Sequence, residues 1–455
     1  MRAQVDRSRL PEPGAVKLFA FPDIARSTLP GGLRVWTVRH DAVPVVSLML
    51  LVRRGAADDP AGQDGLAAVT ADMLDEGSQG RSAIEMHEAL ARIGCQLETD
   101  IGPDGTALTV SVLSRFTDRA LVLLADMVAR PSLTEADFAR VRQLRLHRLR
   151  QLRDVPAAVA ERAFARLLYG GDPYGHSPIG SERTVGGIEV DDVRRFHAAM
   201  FEPSSAMLLA VGDCEHDAIV RAAGQAFAGW SAAAASPAPV EAPLPAPPRL
   251  NVIARPGAPQ SELRIGHIGL ARHTPDYHAV VAANMVLGGQ FVSRINLNLR
   301  QEKGYTYGAR TGFDFRRRPG PFALQASVHT AATAHAVAES IREIEDIRGL
   351  RPITSDELRL GVAALTQGYA RNFETAEQIA RAVTQLALYD LPDDYFEEFV
   401  PSIERVTAAE ATAVAARHLH PDRLTTLVVG DLEAIRTDLA ALGLGEPAVL
   451  SAEAF

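Results

Sequence analysis

Cysteine is nearly absent from this 455-residue chain: Cys95 and Cys214 are the only two, far apart and outside any Cys-x-x-Cys or Cys/His spacing. That pattern excludes a disulfide framework and a zinc knuckle, and predicts two reduced, buried thiols. Long apolar runs are missing as well. The longest, around Val45 to Val52, is too short to span a bilayer, and the opening MRAQVDRSRLPEPGAVKLF has no apolar stretch of signal-peptide length behind its charges. A cytoplasmic location is therefore expected. An excess of basic residues is lacking too, since the formal charge is -9, which argues against a general nucleic-acid binder. What remains, 47% hydrophobic and 23% charged residues, is an ordinary soluble composition in a chain long enough for two or more domains.

Residues 231–249, SAAAASPAPVEAPLPAPPR, lack periodicity and are dense in Ala and Pro, so they read as a semi-extended linker. The sequences on either side repeat each other. Leu33-Arg-Val-Trp-Thr-Val answers Leu250-Asn-Val-Ile-Ala-Arg at an offset of 217 residues, 250 less 33. Thr134 and Thr354 each precede an acid by three residues, Asp137 and Glu357, the signature of a capped helix start. Near the end of each half a Pro, Pro203 or Pro421, leads into an apolar strand closed by Val-Gly-Asp, with Gly212 and Gly430 at the matching place. A repeat this long is a duplicated domain, because solenoid units run to roughly 20–50 residues. Each half mixes β-branched alternating runs such as Ala107 to Leu113 with long helical stretches such as Thr134 to Leu152, without strict βαβ alternation. The fold class read from this is α+β: two homologous duplicated domains, 1–230 and 250–455, each a mostly antiparallel sheet with helices packed on it, joined by 231–249.

The order of these landmarks, over nearly the whole chain, resembles the pitrilysin/insulinase-like peptidases, including the mitochondrial processing peptidase and its small bacterial relatives. Gly65-Leu-Ala-Ala-Val-Thr-Ala-Asp-Met-Leu74 resembles the helix that in active members carries the inverted zinc motif H-x-x-E-H. There two His one helical turn apart share a Zn²⁺ and the Glu serves as general base. Here those positions are Ala68, Ala71 and Asp72. Neither alanine binds a metal or moves a proton, and Asp72 alone is too few ligands, so no metal is expected in this chain. The resemblance places a third family ligand, a Glu, on a later helix, where this sequence offers His147 or Arg148. Six arginines between 140 and 153 disfavour a bound cation there and read as a solvated basic helix face. Asp172-Pro-Tyr-Gly175 stands where the family usually has His-Pro-Tyr-Gly, and His418-Leu-His420, with no acidic third ligand, reads as structural or surface despite a spacing that aligns two rings on a strand.

The second half keeps a different motif, Leu287-Gly-Gly-Gln-Phe-Val-Ser-Arg294 followed by Leu299-Arg300-Gln-Glu-Lys-Gly304-Tyr305-Thr-Tyr307-Gly308. Gly304 is a natural left-handed helix cap, Tyr305 to Ala309 reads as strand, and the Gly288-Gly289 pair as a plain helix-ending turn. The resemblance implies that Arg300 and Tyr307 face a zinc site across a chamber and hold substrate. Arg offers a forked donor to a carboxylate or carbonyl, and a Tyr hydroxyl donates to the oxyanion that forms as an amide is hydrolysed. Tyr305, two residues from Tyr307 and on the same face of a regular strand, competes for the hydroxyl role. The implied function is a non-catalytic, substrate-binding subunit, inactive alone, forming half of a clam-shaped dimer with a homologous zinc-bearing partner. Its cofactor, zinc, would sit in that partner, and neither nucleic acid nor membrane is involved. A structural subunit and a non-hydrolytic peptide-binding protein are the alternatives.

Overall fold

The computed structural model describes Ser8 and residues 20–78, 80–231 and 244–452; most of the linker, residues 232–243, lies outside the described residues. In chain order the strands of the first half are β1 (Ile24–Thr28), β2 (Arg34–Arg39), β3 (Val45–Val52), a small hairpin of β4 (Gly77–Ser78) and β5 (Arg81–Ser82), β6 (Glu98–Ile101), β7 (Thr106–Leu113) and β8 (Ala206–Gly212). Those of the second half are β9 (Leu250–Ala254), β10 (Gln260–Ile268), β11 (Thr306–Phe313), β12 (Pro321–His329), β13 (Thr425–Gly430) and β14 (Ala448–Leu450). They form two six-stranded sheets, β6-β7-β3-β8-β2-β1 and β11-β12-β10-β13-β9-β14. The first five positions correspond strand for strand. Both sheets are antiparallel except at β2/β8 and β13/β9, and at the edge, where β14 runs parallel to β9 while β1 runs antiparallel to β2. The α+β reading with two mostly antiparallel sheets therefore holds.

The repeated Val-Gly-Asp ends have one physical cause. A Cβ on Gly212 would lie 2.1 Å from the Val45 carbonyl oxygen, and one on Gly430 would lie 2.4 Å from the Ser261 hydroxyl, so each strand leaves its sheet too close to its neighbour for a side chain. Thr134 and Thr354 cap the helices Glu135–Arg153 and Ser355–Thr366, their hydroxyls accepting from the N–H groups of Asp137 and Glu357 at 3.2 and 3.3 Å.

Strand β3 is a nearly continuous apolar run because both faces are covered. Val46, Leu48, Leu50 and Val52 face the helices of their own half, whereas Met49 and Leu51 join a cluster with Ile379, Ala380, Val383 and Leu386. Those four belong to the helix Ala376–Tyr389, which comes from the second half. The exchange is reciprocal. Val159, Ala163 and Phe164 of the helix Pro156–Tyr169 pack on Ile253, Leu427 and Val429 at the back of the second sheet. At roughly 1.5–3 kcal/mol for each large apolar side chain fully buried, these crossed helices are a substantial part of what holds the halves together.

Polar contacts reinforce the junction. Arg318 donates from its two terminal guanidinium nitrogens to the Asp172 carboxylate at 2.8 and 2.9 Å, and Asp172 is 2% exposed. Asp172 also accepts from the Tyr174 N–H at 2.9 Å, the Tyr174 hydroxyl donates to Asp104, and the Tyr169 hydroxyl donates to the Pro319 carbonyl at 2.9 Å. The Asp at the head of Asp-Pro-Tyr-Gly thus clamps one half to the other. Cys95 is buried and Cys214 half-buried, both as free thiols; burial raises the pKa of each, that of Cys214 to about 11. Among the described residues no helix is long and apolar enough to cross a membrane.

Candidate functional site

The helix Leu66–Asp72 begins where the chain is tightly constrained. Gly65 has φ +97, and a Cβ there would lie 2.8 Å from the Gly180 Cα, so glycine is required on both counts. The buried carboxylate of Asp59 accepts from the N–H groups of Gly65 and Ala67, both at 2.7 Å, and ties down the helix start. His176 backs it, its Nε2 lying 3.3 Å from Asp59 and 2.8 Å from the Ala56 carbonyl. Burial works against the imidazolium, yet Asp59 and Asp64 together raise the His176 pKa.

Ala68 and Ala71 present buried methyl groups, each 1% exposed. Asp72 is not alone: the Arg145 guanidinium pairs with its carboxylate and donates to the Ala68 carbonyl at 3.3 Å. Arg145 itself is buried. The arginine-rich helix is therefore not a uniformly solvated face. His147 and Arg148 are both exposed, and His147 meets Gln143 at 3.0 Å; the side chain paired with Asp72 is Arg145, two or three residues earlier. Burial raises the Asp72 pKa while Arg145 and Arg148 oppose the shift. This donor set does not fit zinc: two methyl groups, one carboxylate already engaged, and a fixed cation against it. Among the described residues, no group of three or more His, Cys, Asp or Glu is arranged to hold a metal ion.

His418 and His420 do not share a strand. His418 ends the helix Ala408–His418 with its Nε2 2.6 Å from the Asp276 carboxylate, and the His420 ring stands 5.2 Å from that of His267.

In the second half, the turn after the helix Tyr277–Asn284 is π-helical, Met285–Gly289. A Cβ on Gly288 would lie 2.6 Å from the Thr311 backbone nitrogen, so this glycine allows the turn to press on β11 and is more than a stop signal. Arg294 is a buried anchor: it donates to both oxygens of Glu357 at 2.7 and 2.8 Å, and to the carbonyls of Arg351 and Pro352 at 2.6 and 3.0 Å. Asn296, also buried, donates to the Gln290 carbonyl at 3.2 Å and accepts from the Ala309 N–H at 2.9 Å. It joins the glycine loop to the strand that carries Tyr307.

That strand is bulged. Thr306 pairs with Val328 and Ala309 with Ala326, so three steps on β11 oppose two on β12. The Thr306 hydroxyl fixes the bulge by accepting from the Gly308 N–H at 3.1 Å and donating to the Ser327 carbonyl at 2.7 Å. Tyr307 is 87% exposed, whereas Tyr305 is half-buried against the second core, its ring 6.4 Å from that of His335. The two tyrosines are not equivalent, contrary to what an even spacing on a regular strand predicts. Arg300 lies in the helical turn Leu297–Glu302, and its guanidinium stacks 4.1 Å from the centre of the Phe291 ring. Among the described residues it has no acidic partner. Phe291 is 60% exposed and Val292 46%. Arg300 and Phe291 thus form an open cation and apolar pair, and the exposed Tyr307 hydroxyl stands on the strand tied to the same loop.

Sequence reasoning missed Arg145, Asn296 and the clamp at Asp172. The spacing of Phe138, Val141, Arg145 and Leu149, steps of three, four and four, is the signal for Arg145, since it continues an apolar face.

Comparison with known proteins agrees with this architecture. A family profile described as "Insulinase (Peptidase family M16)" matches residues 34–181, and one described as "Peptidase M16 inactive domain" matches 187–365. An uncharacterized zinc protease of Streptomyces coelicolor is 24% identical over 419 residues, covering 90% of each chain. One of Mycobacterium tuberculosis is 26% identical over 413 residues, covering 89% of this chain and 92% of the other. Among solved structures, a peptidase M16 inactive domain from Pseudomonas fluorescens superposes with a TM-score of 0.82 at 23% identity, over 90% of this chain and 98% of that one. A protease from Helicobacter pylori gives 0.82 at 19% identity, over 90% and 99%. With these two profiles of one family together matching 34–181 and 187–365, the chain belongs to the insulinase-like M16 peptidase family.

Proposed function

We propose that this chain is the non-catalytic, substrate-holding subunit of a heterodimeric peptidase, working in the cytoplasm with a homologous subunit that carries the zinc. The observation that supports this reading is the contrast between the two motifs. The first is closed by the Arg145–Asp72 pair, while Arg300, Tyr307 and Phe291 stand ready and unengaged by any acid. In that role Arg300 orients a backbone carbonyl or carboxylate of the peptide, Phe291 covers an apolar side chain, and the Tyr307 hydroxyl donates to the carbonyl oxygen as it gains charge. A purely structural subunit gives no reason for a tyrosine to be displayed on a bulge. The inactive-domain description of the profile and the P. fluorescens structure is consistent with a chain that does not act alone.

The test is coexpression with a homologue that retains H-x-x-E-H. Peptide hydrolysis is expected in the co-purified pair and in neither chain separately, with zinc bound by the homologue. One zinc per chain surviving dialysis of this subunit alone, with chelator-sensitive peptidase activity, would overturn the proposal.

A further inference from the structure

A second feature lies apart from both motifs. Between the end of the helix Glu135–Arg153, the helix Pro156–Tyr169 and the segment 175–183 is an open cavity of about 360 Å³. Its walls carry four guanidinium groups, Arg153, Arg162, Arg166 and Arg183, against two carboxylates, Asp64 and Glu182. Glu182 is occupied by Arg150 at 3.1 Å and Arg153 at 3.5 Å.

The telling residue is Arg162. It is 9% exposed, and its buried Nε has no hydrogen-bond partner. Neither it nor the exposed Arg166 and Arg183 makes a side-chain hydrogen bond or ion pair with the described residues. A buried guanidinium with unsatisfied donors costs several kcal/mol, and proteins normally pair it. Burial lowers the Arg162 pKa and Glu182 only partly opposes this, as expected of a cation short of a counter-charge. His176, in the wall, already has Asp59 and the Ala56 carbonyl as partners, so it does not relieve the shortage. Among the described residues no anion completes this set of one buried donor and two exposed ones.

We propose that this cavity binds an oxyanion, a carboxylate or phosphate group, with Arg162 as the floor and Arg166 and Arg183 as the rim. The planar fork of arginine suits such groups, which accept two parallel hydrogen bonds. The site uses only this chain, so it stands whether or not the subunit proposal does.

The experiment is calorimetric titration of the purified full chain, without a partner, at low ionic strength. The probes are inorganic phosphate, N-acetyl-trialanine with a free carboxylate, and the same peptide as its amide. Saturable one-site binding of phosphate, of the free-acid peptide, or of both is expected, and none of the amide; which anion binds identifies the source. Arg162→Met should weaken binding at least about tenfold, with Arg162→Lys in between because it keeps the charge and loses the fork. Should Arg162→Met not fold, the exposed double variant Arg166→Met/Arg183→Met carries the test, with a loss of about five- to tenfold. Absence of binding by both anions up to about 10 mM overturns the proposal. So does binding that stays within about twofold of the parent chain in the Arg162 and rim variants, or equal binding of acid and amide.

Discussion

The first α-helix of each half, Leu66–Asp72 and Tyr277–Asn284, comes after the strand that holds the same place in its sheet, β3 or β10. The same helix end has been finished in two ways. In the first half it turns inward: a methyl group is buried, and the carboxylate is taken by Arg145. In the second it opens outward, through a π-helical turn that presses on β11 and leads to the exposed Phe291. Around these ends the frame is the same: strand order, glycine-closed strands, capped helices and a helix lent to the other half. Duplication has kept what packs and let the contact surface diverge, which is the pattern expected when function lives in sites carried by a shared frame.

Substitutions at the two helix ends probe this contrast most strongly. Gly288→Ala forces a Cβ to within 2.6 Å of the Thr311 nitrogen and should cost about 3 kcal/mol by overpacking, read as a fall in the denaturant midpoint. Ala71→Gly should cost only about 1 kcal/mol through helix propensity. Equal losses at the two sites would break the comparison. Next in size is the clamp between halves. Asp172→Asn removes the charge facing Arg318 and should cost about 2–3 kcal/mol, less than for a fully buried pair because Arg318 retains some exposure. In an Arg318→Met background the same change should cost much less.

Acid groups near the two helix ends should respond to pH in opposite senses. Glu357 sits in a partly buried site that works against its charge, but the Arg294 pair and the Thr354 contacts pull its pKa down to about 2. Its contribution is present above the unfolded value of about 4.3 and is lost as pH falls through about 2. Asp75 is pushed up to about 6 by burial and by Glu76, with His87 only partly compensating. Its ionisation therefore weakens the fold as pH rises through about 6. Asp75→Asn should raise the melting temperature at pH 8 and leave it unchanged at pH 4, with an effect of about 1–2 kcal/mol. Glu357→Gln should lower it at pH 7, with a difference that shrinks toward pH 2. The smallest expected effect is that of cutting the linker. A chain with a protease site engineered after Pro237 should, once cleaved, still elute as one species, because each half has a helix buried against the other's sheet. Separation into two folded halves would show that the exchanged helices are not required.

The repeat was readable because backbone constraints leave marks: Gly212 and Gly430 where no side chain fits, Thr134 and Thr354 where helix donors need an acceptor. The exchange was not readable. The apolar face of the helix Ala376–Tyr389 says that it is buried, but not against which sheet, since Ile379 and Val383 would pack equally well on either. Arg145 was hidden among arginines that are exposed. The display of Tyr307 depends on a bulge that an even residue spacing conceals, although Gly308 beside it is the usual mark of one.

The central claim is that the open end of the second half acts on a substrate whose metal belongs to another subunit. It is tested most directly by kcat in the reconstituted pair for Tyr307→Phe, with Tyr305→Phe as control and Arg300→Lys alongside. The account predicts a fall on the order of 10²-fold for Tyr307→Phe with the pair intact, the size of losing one oxyanion donor, and little change for Tyr305→Phe. Arg300→Lys should lose activity through geometry although its charge is kept. Values of kcat/KM within a few fold of the parent for both Tyr307→Phe and Arg300→Lys would contradict it and reduce this subunit to a chamber wall.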